Sequence, residues 1–586
     1  MQRSWGFCRV AALGATLAVL SLSCSYYSHY DDEPTFVRQL EDLKAECVRA
    51  GERAPTASEA PPTAEGAATL PSWHDEAGRP LLPKAESKRP MTLDDLYVNA
   101  LQHSHQIQVF SDMPLIRETG IQEAEGTFDV HAYVESEYDR MNEGVGSTLV
   151  STIDDRFIEH KRQLEVGLRK KVITGADVSI AQRFLDKDSN ADYFVPERQD
   201  SAALTVRIVQ PLLAGGGIRY NKSVLHLARL DSEIAQAEMV RQAESHLLEV
   251  ARGYWSLYAA RAVYCQYVRQ AEAIEGILKE LKARADADAL RHQILRAEAG
   301  LTNRRADLVR AELAILNAQD RLHALVNEDV GWSQTEIIPI SPIHLKALPM
   351  DTTRSGTAAL ENRPEVQQAF LQLRAAAVRL GMNKNEILPK LSLILEGRLH
   401  GLEGGRHLGD AVGEEWEVDD TVGGTIGIVL DVPLGNNTAA ARLKRRKIEM
   451  RQQFNQLRTT VDTVLLEVRI SVREATTGWR DFTAKSEAAR AAHEEVEHLL
   501  ARKDIEAMRA PASTYLGDLM AAQDREADAQ RALAQTMATY QVAVLNLQRA
   551  QGTLLGYTKI GASRSEQGDL PVIRLEKGSA PSQGGK

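Results

Sequence analysis

The sequence predicts a fold made of two parts, a β-barrel that crosses a membrane and very long α-helices, packed as coiled coil, that continue it. Three observations carry that expectation. Several short stretches alternate apolar with polar residues, as strands with one apolar face do. Two much longer stretches repeat apolar residues at every seventh position. The chain also passes twice from the first pattern into the second, at "TVRIVQPLLAGGGIRYNKSVLHLARL" (205–230) and at "TIGIVLDVPLGNNTAAARLKRRKIEM" (425–450).

Composition agrees with long helices. Over 586 residues only 5% are aromatic, and Ala, Gln, Glu, Arg and Leu dominate the middle and the end, which suits helices better than a large mixed core. A net charge of −11 offers no basic surface to neutralise phosphates, so nucleic acid is not an expected partner.

The first segment reads as an export signal, residues 1–23. Arg3 and Arg9 form a positive region, and Val10 to Leu22 is apolar but too short to span a bilayer as a helix. The closing "LSLSC" resembles a bacterial lipoprotein signal, which makes Cys24 the expected lipid-attachment site, although Ser21 stands where Leu is usual. Ser25 carries no inner-membrane retention signal, which leaves the outer membrane as destination. Cys47 and Cys265 lie far apart with no metal spacing and read as free thiols or one optional disulfide. From 24 to 90 the chain is rich in Pro, Ala, Glu and Ser, so the expectation is a lipid anchor followed by a disordered linker. A flexible tail is expected over 557–586.

The strands come next. Val130, Ala132 and Val134 alternate with polar residues, as do Leu164, Val166 and Leu168, then Leu204, Val206 and Ile208, and then Leu391, Leu393 and Leu395. Membrane strands survive only in a closed barrel, because an open edge leaves backbone groups unpaired in lipid. The smallest barrels need about eight strands. Four or five credible strands per chain therefore imply that several copies close one barrel.

The helices carry heptads. Ile294, Leu301, Leu308, Ile315 and Leu322 repeat in the first half, and Leu519, Leu533, Tyr540, Leu547 and Leu554 in the second. Each helix before its break runs to about 60 residues, or ~90 Å. The breaks fall at "ARADADALR" (283–291) and "MRAPASTYLGDL" (508–519). Similar passages, breaks and heptads in both halves read as an internal repeat. Its copies are 91–330 and 357–556, joined by a connector at 331–356.

No enzyme, cofactor or metal centre is expected. "AGGGIR" lacks the Lys and Ser/Thr of a phosphate-binding loop and reads as a turn. The cluster His400, His407, Glu414, Glu415, Asp419 and Asp420 reads as a solvated, Gly-rich outer loop. No Ser/His/Asp or Cys/His arrangement can be defended.

The order of motifs then supplies a resemblance. "MTLDDLYVNALQHSHQIQ" opens the first half, and "ALENRPEVQQAFLQLRAAAVRLGMNKNEILPKLSL" opens the second. "QPLLAGGGIRYN" and "DVPLGNNTAAARL" stand at the passages, and "LNLQRAQGTLLG" near the end. Together, from Met91 to Gly556, they resemble the TolC-like outer-membrane efflux proteins. The resemblance implies a homotrimer in which each chain gives about four strands to a shared twelve-stranded barrel, continued by a periplasmic helical tunnel about 100 Å long. It also implies a role as exit duct of a tripartite efflux or type I secretion system. The partners would be a periplasmic adaptor protein, an inner-membrane transporter and outer-membrane lipid.

By that resemblance Pro211, Gly215, Gly216, Gly217, Pro433 and Gly435 make the strand-to-helix turns. Asp518, with Asp286 and Asp288 as first-half counterparts, forms the periplasmic gate. Ala287, Ala289, Leu290, Ser513, Thr514, Leu516 and Leu519 lie at the helix tips that meet the adaptor. Another reading makes Asp518 a helix cap. An adaptor-like or purely structural coiled-coil lipoprotein is the alternative. An adaptor would have one helical hairpin rather than two, and a structural lipoprotein has no need of strands with one apolar face.

Overall fold

In the computed structural model the chain is described over residues 73–82, 87–144, 146, 156–284, 291–327, 335–343, 347, 351–404, 408–416, 422–502, 512–567 and 570–577. It divides into two compact units.

The sheet unit is formed by Arg117–Ser232 with Leu371–Asn455. Its strands are β2 (Val130–Gly144), β3 (Arg156–Lys171), β4 (Asp177–Ser189), β5 (Arg198–Pro211), β7 (Lys390–Gly404) and β8 (Val422–Asp431). They pair in the order β2-β3-β4-β5-β7-β8, every pair antiparallel. The expectation of about four strands per chain is therefore corrected to six in this sheet among the described residues. The sequence reading missed β4, because Gln182 interrupts its apolar stripe of Val178, Ile180 and Phe184.

Register aligns one face across the whole sheet. Val134, Val166, Gln182, Leu204, Leu399 and Val422 stand in one row, and Ala132, Leu168, Ile180, Val206 and Gly397 in the next. A short helix between β7 and β8, Leu408–Glu415, packs on this apolar face over Gly401. A Cβ added at Gly401 would lie 2.0 Å from the Ala411 carbonyl. Gln182 Nε2 donates to Glu415 Oε2 at 2.8 Å, which satisfies the polar group that breaks the stripe. The segment expected to be a solvated loop therefore contains a packed helix. His407, Asp419 and Asp420 lie outside the described residues.

The helical unit is built from Glu233–Phe370 and Gln456–Lys586, with the described residues preceding Ile116. It begins with α1 (Trp73–Ala77), β1 (Ser87–Met91) and α2 (Leu93–His103), and it takes in the first part of α3 (His105–Gly126). Residues 73–82 and 87–90 thus correct part of the expected linker. They are ordered by parallel pairing of β1 with β6 (Thr335–Pro339) and by a buried ion pair described below.

After the four-residue α4 (Ile218–Asn221) come α5 (Ser223–Ala283, 61 residues) and α6 (Arg291–Val326, 36 residues). The second half supplies α7 (Thr352–Asn362) and α8 (Pro364–Glu386). With the sheet helix Leu408–Glu415 numbered α9, the series ends with α10 (Asn437–Ala501, 65 residues), α11 (Ala512–Ala550, 39 residues) and α12 (Leu554–Thr558). No described helix is long and apolar enough to cross a membrane.

The expected heptads bury, although Leu554, read as the last of the second series, stands beyond the end of α11 in the short α12. Leu301, Ile315 and Leu322 on α6, and Leu519, Leu533, Tyr540 and Leu547 on α11, are all buried, with Ile294 and Leu308 partly so. The expected tail from 557 is corrected over Ile560–Gln567 (β9) and Leu570–Lys577 (β10). These form an antiparallel hairpin, held at Lys577 by Asp94 at 2.7 Å.

Candidate channel wall and helix turns

The sheet face opposite the apolar rows is charged and internally paired. Arg183 and Glu165 meet at 3.0 Å, Lys187 and Glu159 at 2.8 Å, and Arg398 and Glu396 at 2.6 Å. Tyr133 Oη donates to Glu165 at 2.8 Å. Apart from Arg398 and Glu396, which share β7, these contacts cross between strands, where opposite charges on one face stabilise the pairing. A wall with apolar residues on one face and paired ions on the other suits lipid outside and water inside.

At the foot of β5 the chain turns on Gly215, Gly216 and Gly217. Gly215 has φ +82° and Gly217 φ +96°, a conformation glycine adopts without strain. At Gly216 an added Cβ would lie 2.5 Å from the Pro211 carbonyl. Side-chain amides lock the turn. Gly215 N donates to Asn385 Oδ1 at 2.7 Å, and Asn221 Nδ2 donates to the carbonyls of Gly215 and Gly217, each at 3.0 Å.

The β3–β4 turn docks on the same place. Gly217 N donates to the Thr174 carbonyl at 3.0 Å, and Thr174 Oγ1 donates to Gln210 Oε1 at 3.0 Å. Sequence reasoning found the glycines and Pro211. It missed Asn221, Asn385 and Thr174, whose partners are set by the fold.

Below β8 the chain turns at Pro433 and Gly435. Gly435 has no close approach, since an added Cβ would meet nothing nearer than Asn437 at 3.5 Å. The left-handed residue there is Asn436, φ +38°, whose Nδ2 donates to the Ile387 carbonyl at 2.8 Å.

The helix-break residues separate into several groups. Asp286, Ala287, Asp288, Ala289 and Leu290 lie outside the described residues, as does Cys24. Ser513 and Thr514 fall in the first turn of α11. Asp518 is exposed. It stands in the second turn of a helix that begins at Ala512, so it is not a cap. Leu516 and Leu519 are only 2% and 4% exposed, packed with Ile274, Leu278, Leu281 and Val496. Their expected role as surface contacts is corrected, because their side chains already fill a core.

Cys265 is free and buried. Burial pushes its thiol up to about 11, which leaves it protonated and inert at neutral pH. Among the described residues no group of His, Cys, Asp and Glu is placed to hold a metal.

An antiparallel wall of this polarity, joined twice to helices of 61 and 65 residues, defines the fold of an outer-membrane channel. Solved structures of outer-membrane channels share the overall fold, and the chain has the TolC-like channel fold. It is similar to the CmeC outer membrane channel of Campylobacter jejuni at 13% identity, over 79% of this chain and 86% of that one, with a TM-score of 0.57. It is similar to the outer membrane protein VceC of Vibrio cholerae at 17% identity, over 78% and 96%, with a TM-score of 0.56. The open-state MtrE channel of Neisseria gonorrhoeae matches at 15% identity, over 79% and 89%, with a TM-score of 0.55. No family model and no curated protein matches the sequence.

Proposed function

We propose that this protein is the outer-membrane exit duct of a tripartite efflux or type I secretion system. It works as a homotrimer, anchored to lipid through Cys24 and joined in the periplasm to an adaptor protein and an inner-membrane transporter. It is a conduit rather than an enzyme. The observation that carries this reading is the six-stranded sheet, apolar on one face and ion-paired on the other, whose strands continue twice into very long helices. The two halves, 91–330 and 357–556, are copies of one unit, each contributing strands to the wall and a helical hairpin to the tunnel. Asp518, Asp286 and Asp288 line the periplasmic constriction, where a ring of carboxylates attracts cations.

Reconstitution in planar bilayers tests both parts. Wild-type protein gives discrete conductance steps with cation preference and block by multivalent cations. Asp518→Asn keeps the conductance and loses much of the preference. A protein that inserts no pores defeats the duct reading, whereas unchanged selectivity in the variant defeats only the gate.

A further inference from the structure

The two halves differ in strand number. Among the described residues the chain makes four strands between α3 and α4, β2 to β5. Between α8 and α10 it makes two, β7 and β8. Because β5 pairs with β7, the extra pair β3–β4 lies inside the sheet and not at its margin.

Both faces of that pair match the rest of the wall. Leu164, Val166 and Leu168 on β3, with Ile180 and Phe184 on β4, continue the apolar rows of β2 and β5. On the other face the pair supplies Glu159, Glu165, Arg183 and Lys187, which neutralise one another. The tip of the hairpin is docked on the β5 turn through Thr174, and Gly175 makes the fit. Gly175 has φ +92°, and an added Cβ there would lie 2.5 Å from Asn221 Nδ2 and 2.6 Å from the Gly215 carbonyl.

The edges point to what completes the sheet. β2 and β8 are its two ends. Soluble edge strands are usually guarded by Pro, Lys or bulges. The β8 edge, "VGGTIGIVLD", carries no Pro and no charge before its last residue, and the β2 edge opens with the uncharged apolar face of Val130, Ala132 and Val134. Val134 is 70% exposed and Ile426 80% exposed, on the apolar face of each edge. Six antiparallel strands leave the two edges running in opposite directions. The β8 edge of one copy can therefore pair with the β2 edge of the next without breaking the alternation, and lipid demands that it does.

We propose that β3–β4 is a hairpin inserted into the barrel wall, so that three copies of this chain close an eighteen-stranded barrel rather than a twelve-stranded one. The stoichiometry of three rests on the duct reading above. The strand number per copy does not. Barrel diameter grows roughly linearly with strand number, so the outer mouth is about one and a half times as wide as twelve strands allow, in the range where the interior is an open aqueous channel.

The full-length chain, with Cys47→Ser and Cys265→Ala, carries the test. Val134→Cys is combined in turn with Gly424→Cys, Ile426→Cys and Ile428→Cys, and oxidation should link neighbouring copies into covalent trimers. Within one chain Val134→Cys should link to Val166→Cys and not to Leu204→Cys. Native mass spectrometry of the detergent-extracted protein should give three copies. Deleting Arg156–Glu197 lets β2 meet β5, and the polymer diameter admitted at the outer mouth should fall to about two-thirds.

A trimeric pore in which Val134→Cys links to Leu204→Cys overturns the inserted hairpin and leaves the duct reading intact. A pore of two copies overturns the eighteen strands. A chain that forms no pore removes the duct reading itself. If the deletion variant fails to assemble, the cysteine pairs in the full-length chain decide the matter alone.

Discussion

Between β5 and α5 the chain turns on three consecutive glycines, two of them at positive φ, with Asn221 and Asn385 holding their amides and carbonyls. Between β8 and α10 it turns on Gly435 and a left-handed Asn436, held by one bond to Ile387. The first turn also receives the tip of the β3–β4 hairpin through Thr174. The half that carries additional strands thus has a turn in which backbones approach too closely for any Cβ. The first turn is fixed by a close backbone approach at Gly216 together with the amides of Asn221 and Asn385, the second by the amide of Asn436.

The contrast continues along the helices. Arg261 of the first half and Glu336 of the connector form an ion pair with both side chains 0% exposed, 2.6 Å apart. Arg261 Nε also donates to the Ala77 carbonyl at 2.9 Å, and Leu81 N donates to Glu336 Oε1 at 2.8 Å. One pair therefore ties α5, β6 and the segment after α1. In the second half Arg363 is buried where α7 gives way to α8, but its partners Glu365 and Glu467 are 24% and 39% exposed.

Arg261→Met strands a buried carboxylate and should destabilise by about 3–5 kcal/mol. Arg363→Met leaves Glu365 and Glu467, which water reaches, and the buried Glu244, which burial already favours in the protonated form, and should cost about 1–3 kcal/mol. Thermal melts of the two variants check the order. Equal losses would break the distinction between the halves.

Titration sharpens it next. Burial pushes Glu244 on α5 up to about 7, against partial compensation from Arg363. The folded state favours the protonated form, so this stability is fully present below the unfolded value of 4.5 and is lost as pH rises through about 7. The span corresponds to about 3 kcal/mol. Wild-type protein should therefore melt lower at pH 8 than at pH 5, and Glu244→Gln should flatten that slope. An unchanged slope in the variant assigns the pH dependence elsewhere.

What was legible in the sequence follows the same division between local and distant causes. The strands read from alternation are β2, β3, β5, β7 and β8, because each carries at least three alternating apolar or glycine positions in a row on one face. β4 does not, since Gln182 is tolerated only through Glu415, more than 200 residues away in sequence. The heptads of α6 and α11 were readable for the same local reason.

The N-terminal strand β1 was not legible. "SKRPM" has no strand pattern and is ordered by β6, far along the chain. The resemblance puts Leu516 and Leu519 at the helix tips that meet the adaptor, although Leu519 also opens the second heptad. They are buried because their heptad positions continue the seam to the end of the helix.

The last test concerns two glycines that the sequence places alike, Gly253 before Tyr254 and Trp255, and Gly478 before Trp479. At Gly253 an added Cβ would lie 2.8 Å from Leu322 Cδ2, and Leu322 is fully buried, so it has no free space to yield. At Gly478 the nearest atom is Tyr540 Cδ2 at 3.6 Å, an ordinary contact. Alanine improves helix propensity at both sites by up to about 1 kcal/mol. At Gly478 nothing opposes that gain, so Gly478→Ala should raise the melting temperature slightly. At Gly253 overpacking costs about 1–3 kcal/mol, which exceeds the gain, so Gly253→Ala should lower it. In a double-mutant cycle Gly253→Ala should cost less on a Leu322→Ala background, although Leu322→Ala itself destabilises by about 2–5 kcal/mol. Two substitutions of the same sign, or an equal cost of Gly253→Ala on both backgrounds, would show that the close helix approach is not what separates the two halves here.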